Sequence, residues 1–325
     1  MILVTGATGF LGHSICPHLV RRGYPVRALA RSGSEHAFLQ SLGIQLAWGD
    51  VRDLQTVIQA VDGCRAIIHA AGLFRMWGRR EEFFASNVAG THHLLEAAQR
   101  TGVERFIHIS TIAVVGRPPT GGTITEETPC TPQDAYQESK RVAEQVVLRC
   151  HQEHGLPALI LRPGAFYGPW GRYGFNRLFF EDPLKGLPLR VHRGRHITFP
   201  VYVADVAQAA ERALWRGQPG QIYNICGPCL SHSEIGAVVE ELTGRRIRWL
   251  HVPAWGVITA ARLWTALSAM TGREPYYPAG LYPYVFRDWQ VSSQKAQREL
   301  GFVPTDFTTG VRATLAWYRE QGILG

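Results

Sequence analysis

Over about the first two-thirds of this 325-residue chain, short β-branched apolar runs alternate with longer segments whose apolar positions recur every three or four residues. The short runs, bounded by turn formers, predict strands at Ile2–Val4, Pro25–Ala30, Ile44–Trp48, Ala66–His69, Arg105–Ser110, Ala158–Leu161 and Gln221–Ile225. The helical period predicts helices near 11–22, 53–61, 80–101, 134–154 and 204–215. A strand-then-helix repeat of this kind predicts an α/β fold: a doubly wound parallel sheet with helices on both faces and right-handed crossovers. The pattern breaks at about 166–199, where Pro, Gly and aromatics dominate, and again after 228, where short helices are separated by proline. Ser231 and Glu234 have capping-box spacing and open one of those helices. Val201–Val203 and Gln221–Ile225 still read as sheet elements, so the chain should return to the sheet. The expected division is a sheet domain of 1–165 plus 200–226, with a smaller, mostly helical lobe of 166–199 plus 227–325.

The first strand runs straight into Thr5-Gly6-Ala7-Thr8-Gly9-Phe10-Leu11-Gly12, which opens a helix. A glycine pattern alone says little, but strand–turn–helix is the context a pyrophosphate needs. Gly6 permits the tight turn, Gly9 lets the backbone approach the phosphates, and Gly12 lets the helix pack close. The helix start adds unpaired N–H groups and a favourable dipole. A Rossmann-type nucleotide fold is therefore expected. The second strand ends Ala30-Arg31-Ser32, with a guanidinium where a carboxylate would hold the ribose hydroxyls of NAD. Arginine suits a 2′-phosphate in charge and shape, which favours NADP(H) and leaves NAD(H) open.

A net charge of +8 raises the question of nucleic acid or membrane partners, but the arginines are scattered and form no stripe. Dispersed positive charge suits a phosphorylated cofactor or a peripheral membrane contact better. The apolar segment Trp255–Met270 is too short to span a bilayer and carries Arg262. It reads first as a buried amphipathic helix and second as one lying on a surface. Six cysteines lack the spacing of a disulfide scaffold, and a strand begins at Ile2, so a cytoplasmic, reducing setting is expected. Cys226-Gly-Pro-Cys229 spells a redox motif outside the βαβ setting such a motif needs. Cys226 reads instead as a buried strand end followed by a turn. No metal is expected.

Tyr136 and Lys140 lie four apart on a predicted helix, so phenol and ammonium share a face. A nearby cation would favour the phenolate and equip the tyrosine to exchange a proton with an alcohol or ketone. Ser110-Thr111 ends the preceding strand, with Val114-Val115-Gly116 following. Together these motifs resemble the extended short-chain dehydrogenase/reductases of the NAD-dependent epimerase/dehydratase superfamily, and the resemblance covers essentially the whole chain. It implies that Thr111, Tyr136 and Lys140 are catalytic, with Thr111 bonding the substrate oxygen. It implies cofactor contacts from Gly6, Thr8, Gly9, Phe10, Leu11, Gly12 and Arg31, and from Asp50 and Val51 after the third strand. Ala70, Ala71 and Gly72 after the fourth strand, Asn87 in Asn87-Val-Ala-Gly-Thr91, and Pro163 and Ala165 in Leu161-Arg-Pro-Gly-Ala-Phe-Tyr-Gly-Pro169 complete the set with Tyr136 and Lys140. Val115 departs from the tyrosine common in the family, with no catalytic consequence expected. Arg298-Glu-Leu-Gly-Phe-Val-Pro304 matches a further stretch.

Two branches compete for the substrate. Nucleotide-sugar enzymes place Asn where this chain has Ala165, and an arginine in the neighbourhood of Thr198, although Arg193 and Arg195 lie close. The wording Arg162-Pro-Gly-Ala-Phe-Tyr-Gly-Pro followed by Pro200-Val-Tyr-Val-Ala-Asp-Val is similar to the 3β-hydroxysteroid dehydrogenase/isomerase branch. A secondary alcohol or ketone of a steroid-like, lipid or polycyclic compound is the first reading. Phe74, Thr111, Tyr136, Phe166 and Tyr167 would contact it, and Met76, Trp77, Trp170, Phe175 and the aromatic stretch 276–289 are further candidates for the cleft wall. A nucleotide-sugar epimerase or dehydratase that retains its cofactor is the alternative, and a silent dinucleotide sensor the third. Apolar residues around much of the 80–101 and 134–154 helices call for a second packing partner. The family resemblance implies that they pair with their copies in a four-helix homodimer interface, the alternative being a monomer whose C-terminal lobe covers them.

Overall fold

A computed structural model describes residues 1–271 and 274–324; of the lobe expected over 227–325, residues 272, 273 and 325 lie outside the described residues. The main sheet has seven strands: β1 (Ile2–Thr5), β2 (Val26–Ala30), β3 (Gln45–Trp48), β4 (Ala66–His69), β5 (Arg105–Ile109), β6 (Ala158–Pro163) and β7 (Ile222–Ile225). They lie in the order β3-β2-β1-β4-β5-β6-β7. All neighbours are parallel, and Thr5 pairs with Leu29 on one side and His69 on the other. All four residues of β1 are buried, as a strand covered on both faces requires. One face packs α1 (Gly12–Arg21) through Ile15 and Leu19. The opposite face packs α2 (Leu54–Val61), α3 (Gly90–Thr101) and α4 (Ala135–His154) through Val57, Leu94 and Val147. The last long covering helix, α5 (Val203–Arg216), returns to the first face through Val206 and Ala210.

The strand order reverses between β1 and β4, and a cleft opens at the carboxyl ends of the strands there. Asp53 caps α2 by accepting from Gln55 N at 3.0 Å, and Asp134 caps α4 by accepting from Gln137 N at 2.8 Å. The Ser231–Glu234 capping box is present.

Several expectations are corrected. The 80–101 helix is not uniformly α: Arg80–Phe83 leads into a π turn over Phe84–Ala89 before α3 begins. A short helix at Ala37–Ser41 was not anticipated. Val201 stays out of the main sheet. β6 ends at Pro163, which has no N–H to extend a ladder. After Gly164 the chain forms Ala165–Tyr167, a separate parallel pair with Pro200–Tyr202, and Val203 already begins α5. The expectation of a dimer stands apart from these corrections: on its two helices Phe83, Leu94, Leu95, Ala143 and Val147 are buried within the protomer, and Phe84, Val88, Val142, Val146 and Leu148 are partly exposed.

Expected first as a buried helix, α6 (Ala254–Thr271) instead leaves Trp255, Leu263, Trp264, Leu267 and Met270 exposed. Among the described residues, no helix is long and apolar enough to cross a membrane. The thiols of Cys226 and Cys229 are free, and Cys226 is buried just past the end of β7.

Candidate active site

The cleft has a volume of about 900 Å³. Gly6, Thr8, Gly9, Phe10 and Leu11 form its floor, Arg31, Asp50 and Val51 one end, and Ala70, Ala71 and Gly72 the side above β4. Gly6 has φ +69°, and a Cβ there would lie 2.7 Å from the Ala70 and Ala71 backbone, so the turn demands glycine. Gly12 does not line the cleft: its missing side chain makes room for the Ala7 carbonyl oxygen, which a Cβ would meet at 2.2 Å. The start of α1 has no side-chain cap and no acidic residue in its first turn. Its N–H groups and dipole are thus left to an anionic ligand. Donor set and shape fit a dinucleotide.

Arg31 is exposed at the end of the cleft. Beside it, Asp50 accepts two bonds from Arg52, at 3.0 and 2.8 Å, and that guanidinium holds its carboxyl below the ordinary range. Arg52 escaped the sequence reading, although it directly follows the Gly49-Asp50-Val51 turn.

Thr111, Tyr136 and Lys140 all line the cleft, with Pro163, Ala165 and Phe166 opposite. Lys140 Nζ donates to the Ile109 carbonyl at 2.7 Å and lies 3.5 Å from His108 Nε2. Burial brings the ammonium down to about 8. The same burial, with Lys140 nearby, lowers His69 to about 3 and His108 well below its usual value, so both rings are neutral. Burial pushes the Tyr136 phenol well above its usual value, and the Thr111 hydroxyl only partly offsets this. The expected lowering by Lys140 is absent: desolvation dominates, and the proton stays on the phenol at neutral pH. Tyr136 stacks edge-on against Phe74, with centroids 5.0 Å apart.

Asn87 is not among the lining residues and sits directly behind Gly72 and Leu73, which are. Its Oδ1 accepts from Leu73 N at 2.7 Å, and its Nδ2 donates to Leu73 O at 3.1 Å and Ser139 Oγ at 2.9 Å. It ties the loop after β4 to α4. Ser110, beside Thr111, also lines the cleft, with a buried hydroxyl that has no hydrogen-bond partner among the described residues. Arg162, in the Leu161–Pro169 motif, has a structural role that the motif does not reveal. It is buried and makes two 2.8 Å bonds to the buried Glu144 carboxylate, clamping β6 to α4.

The rest of the cleft is walled by Phe74, Met76, Tyr173, Phe175, Leu178, Phe179, Thr198, Phe199, Leu281, Tyr284 and Val285, with Arg75, Glu81, Glu82 and Ser86 as further polar lining. Tyr284 accepts from Gln137 Nε2 at 2.6 Å, linking this wall to α4. Tyr167 is a correction: it is buried in the lobe core against Phe175, Phe180 and Phe307. Trp77 and Trp170 also lie off the cleft, and Trp170 stacks on His13. Arg193 and Arg195 do not reach it, and Arg75 is the one arginine among the lining residues outside the Arg31–Arg52 end.

A phosphate-ready helix start beside a protonated tyrosine and a buried lysine belongs to one enzyme class: nicotinamide-dependent, of the extended short-chain dehydrogenase type. The chain is a member of the NAD dependent epimerase/dehydratase family, whose model matches residues 2–226. It is similar to sterol demethylase protein B of Methylococcus capsulatus, with 31% identity over 340 residues and 99% of both chains covered. It is 32% identical to a 3 beta-hydroxysteroid dehydrogenase/Delta 5→4-isomerase of Mycobacterium tuberculosis, over 95% of this chain and 87% of that one. Among solved structures, UDP-glucose 4-epimerase of Thermus thermophilus in complex with NAD superposes with a TM-score of 0.79 at 27% identity, covering 98% of both chains.

Proposed function

We propose that this enzyme interconverts a secondary alcohol and a ketone on a steroid-like, lipid or polycyclic substrate, with NADP(H) as the preferred cofactor. The carrying observation is the rest of the cleft: mainly aromatic and aliphatic walls, Ala165 and Thr198 where a sugar diphosphate needs polar anchors, and Arg193 and Arg195 turned elsewhere. The two relatives named for sterol and steroid chemistry support the same reading. When bound, the nicotinamide supplies or accepts the hydride. Tyr136 gives its proton to the ketone oxygen, or takes one from the alcohol. The Thr111 hydroxyl bonds that oxygen as charge develops on it. Lys140 lies in the cleft between the β5 carbonyl end and Gly72, suited to holding the nicotinamide ribose. In a panel of sterols, lipid ketones and nucleotide sugars followed by nicotinamide absorbance, net cofactor turnover should come from the first two groups. Turnover of nucleotide sugars alone, with cofactor retained through purification, would establish the epimerase reading, which Arg75 at the cleft wall and the epimerase likeness favour.

The NADP(H) preference rests on Arg31. Asp50 is already engaged by Arg52, and the residues directly after β2, Arg31 and Ser32, include no carboxylate. Arg31→Ala should weaken NADPH by about 1.5–3 kcal/mol and leave NADH nearly unchanged, the range for a bond to a charged group. Equal losses in fluorescence titrations would remove the preference. The six free thiols suit a cytoplasmic, reducing setting. The partly exposed Phe84, Val88 and Val142 on the same two helices suit a homodimer, for which light scattering should give twice the 36.2 kDa chain mass.

A further inference from the structure

In α6, the residues facing outward are the large apolar ones. Trp255, Leu263, Leu267 and Met270 recur at spacings of eight, four and three residues, on one side of the helix. With Trp264 they are exposed by between 51% (Trp264) and 84% (Met270). The inward side carries Val257, Ile258, Ala261, Thr265 and the buried Ser268. A helix that only covered its own protein in water would be arranged the other way round, with its polar and small residues outside.

Beneath α6 lies a second cavity of about 370 Å³, lined on the helix side by Val257, Ile258, Ala261 and, at its edge, the exposed Arg262. Leu178, Phe179, Leu281 and Val285 line both this cavity and the catalytic cleft, so the two spaces share an apolar wall leading toward Tyr136. Charge completes the pattern. Residues 242–273 contain five arginines, at 245, 246, 248, 262 and 273, and no Asp or Glu. Arg245, Arg246, Arg248 and Arg262 are exposed. The segment is thus apolar on the outer side of one helix and basic in the exposed stretch that leads into it, in a chain whose dispersed charge elsewhere forms no stripe.

We propose that α6 lies in the interface of a bilayer containing anionic lipid, and that the cavity beneath it passes an apolar substrate between the bilayer and the cleft. The second part rests on the lipid reading of the active site. Trp and Leu side chains enter the acyl boundary, and the arginines meet the lipid phosphates. The helix lies on the membrane and does not span it.

The test is flotation of the full-length protein with vesicles of phosphatidylcholine, with and without phosphatidylglycerol. The wild type should float with the mixed vesicles, less with phosphatidylcholine alone, and less as salt rises. Leu263→Glu with Leu267→Glu should raise the lipid needed for half-binding about tenfold or more. Both sites are exposed, so NADPH affinity and the thermal midpoint should be unchanged; Trp264→Ser should give a smaller shift in the same direction. Wild-type protein that ignores both vesicles overturns the proposal, as does a double variant that floats as well as wild type. A doubled mass in light scattering, lost in the double variant, would assign the face to a second copy and overturn it too. Sterol turnover in detergent with no vesicle binding defeats this inference alone, whereas turnover confined to nucleotide sugars defeats the substrate reading and the passage with it.

Discussion

The two halves of the cleft are built from different materials. The cofactor half is made of main chain: glycines, strand ends and a helix start, held in place by the sheet. Gly6 leaves no space for a methyl group, and α1 presents backbone N–H groups with no side chain over them. The substrate half is made of side chains carried on loops and short helices, such as Phe74, Phe179 and Tyr284. Geometry in the first half is set by the fold, and in the second by residue identity. This explains how a sterol-named relative and a sugar-nucleotide epimerase share one frame.

The largest effect should come from the clamp behind the catalytic helix. Glu144→Gln leaves the Arg162 guanidinium buried without its counter-charge, which costs about 3–5 kcal/mol. Chemical denaturation should show that loss; an unchanged midpoint would mean the frame is not held there. Tyr136→Phe should keep the fold and cofactor affinity while turnover falls about 10²-fold or more. Activity within a few-fold of wild type would place the proton elsewhere.

Lys140 gives a pH signature. It titrates at about 8 when folded and at 10.5 as an ordinary lysine. Between those values the unfolded chain binds more protons, so wild-type stability rises with pH, by at most about 1.4 kcal/mol per pH unit. Lys140→Met should lack that rise in pH-dependent unfolding. A matching slope in the variant would show that the lysine stays charged when folded. The smallest effect belongs to the substrate wall: Phe74→Ala, at a side chain 45% exposed, should leave stability within about 0.5 kcal/mol. It should raise KM several-fold for the ring substrate, and a loss of stability instead would erase the contrast between the halves.

The main-chain half was the more legible in sequence. Its strands are buried on both faces and must be continuous apolar runs, and its turn needs glycine at fixed steps. What was misread depended on direction. Phe166 and Tyr167 are neighbours in a strand and so point to opposite sides; only one can face the cleft, and composition treated them alike. The apolar residues of α6 announced a helix but not which way it faces, because the inward side is filled by smaller residues. The Arg162–Glu144 clamp joins positions 18 apart in sequence across a strand and a helix, a pairing no local pattern reveals. The phenol of Tyr136 was expected to sit below its usual value from its spacing to Lys140, but spacing carries no information about solvent.

The π turn at Phe84–Ala89 has a consequence for how this chain tolerates length change. A π turn is an α-helix with one residue inserted, and each residue of an α-helix advances the face by about 100°. Deleting a single codon here would restore regular winding and yield a better helix. It would also swing Asn87 away from Leu73 and Ser139, releasing the loop that borders the nicotinamide end of the cleft. At this point an improvement in local regularity and the survival of the site are opposed, so the irregular turn should persist wherever the site is kept.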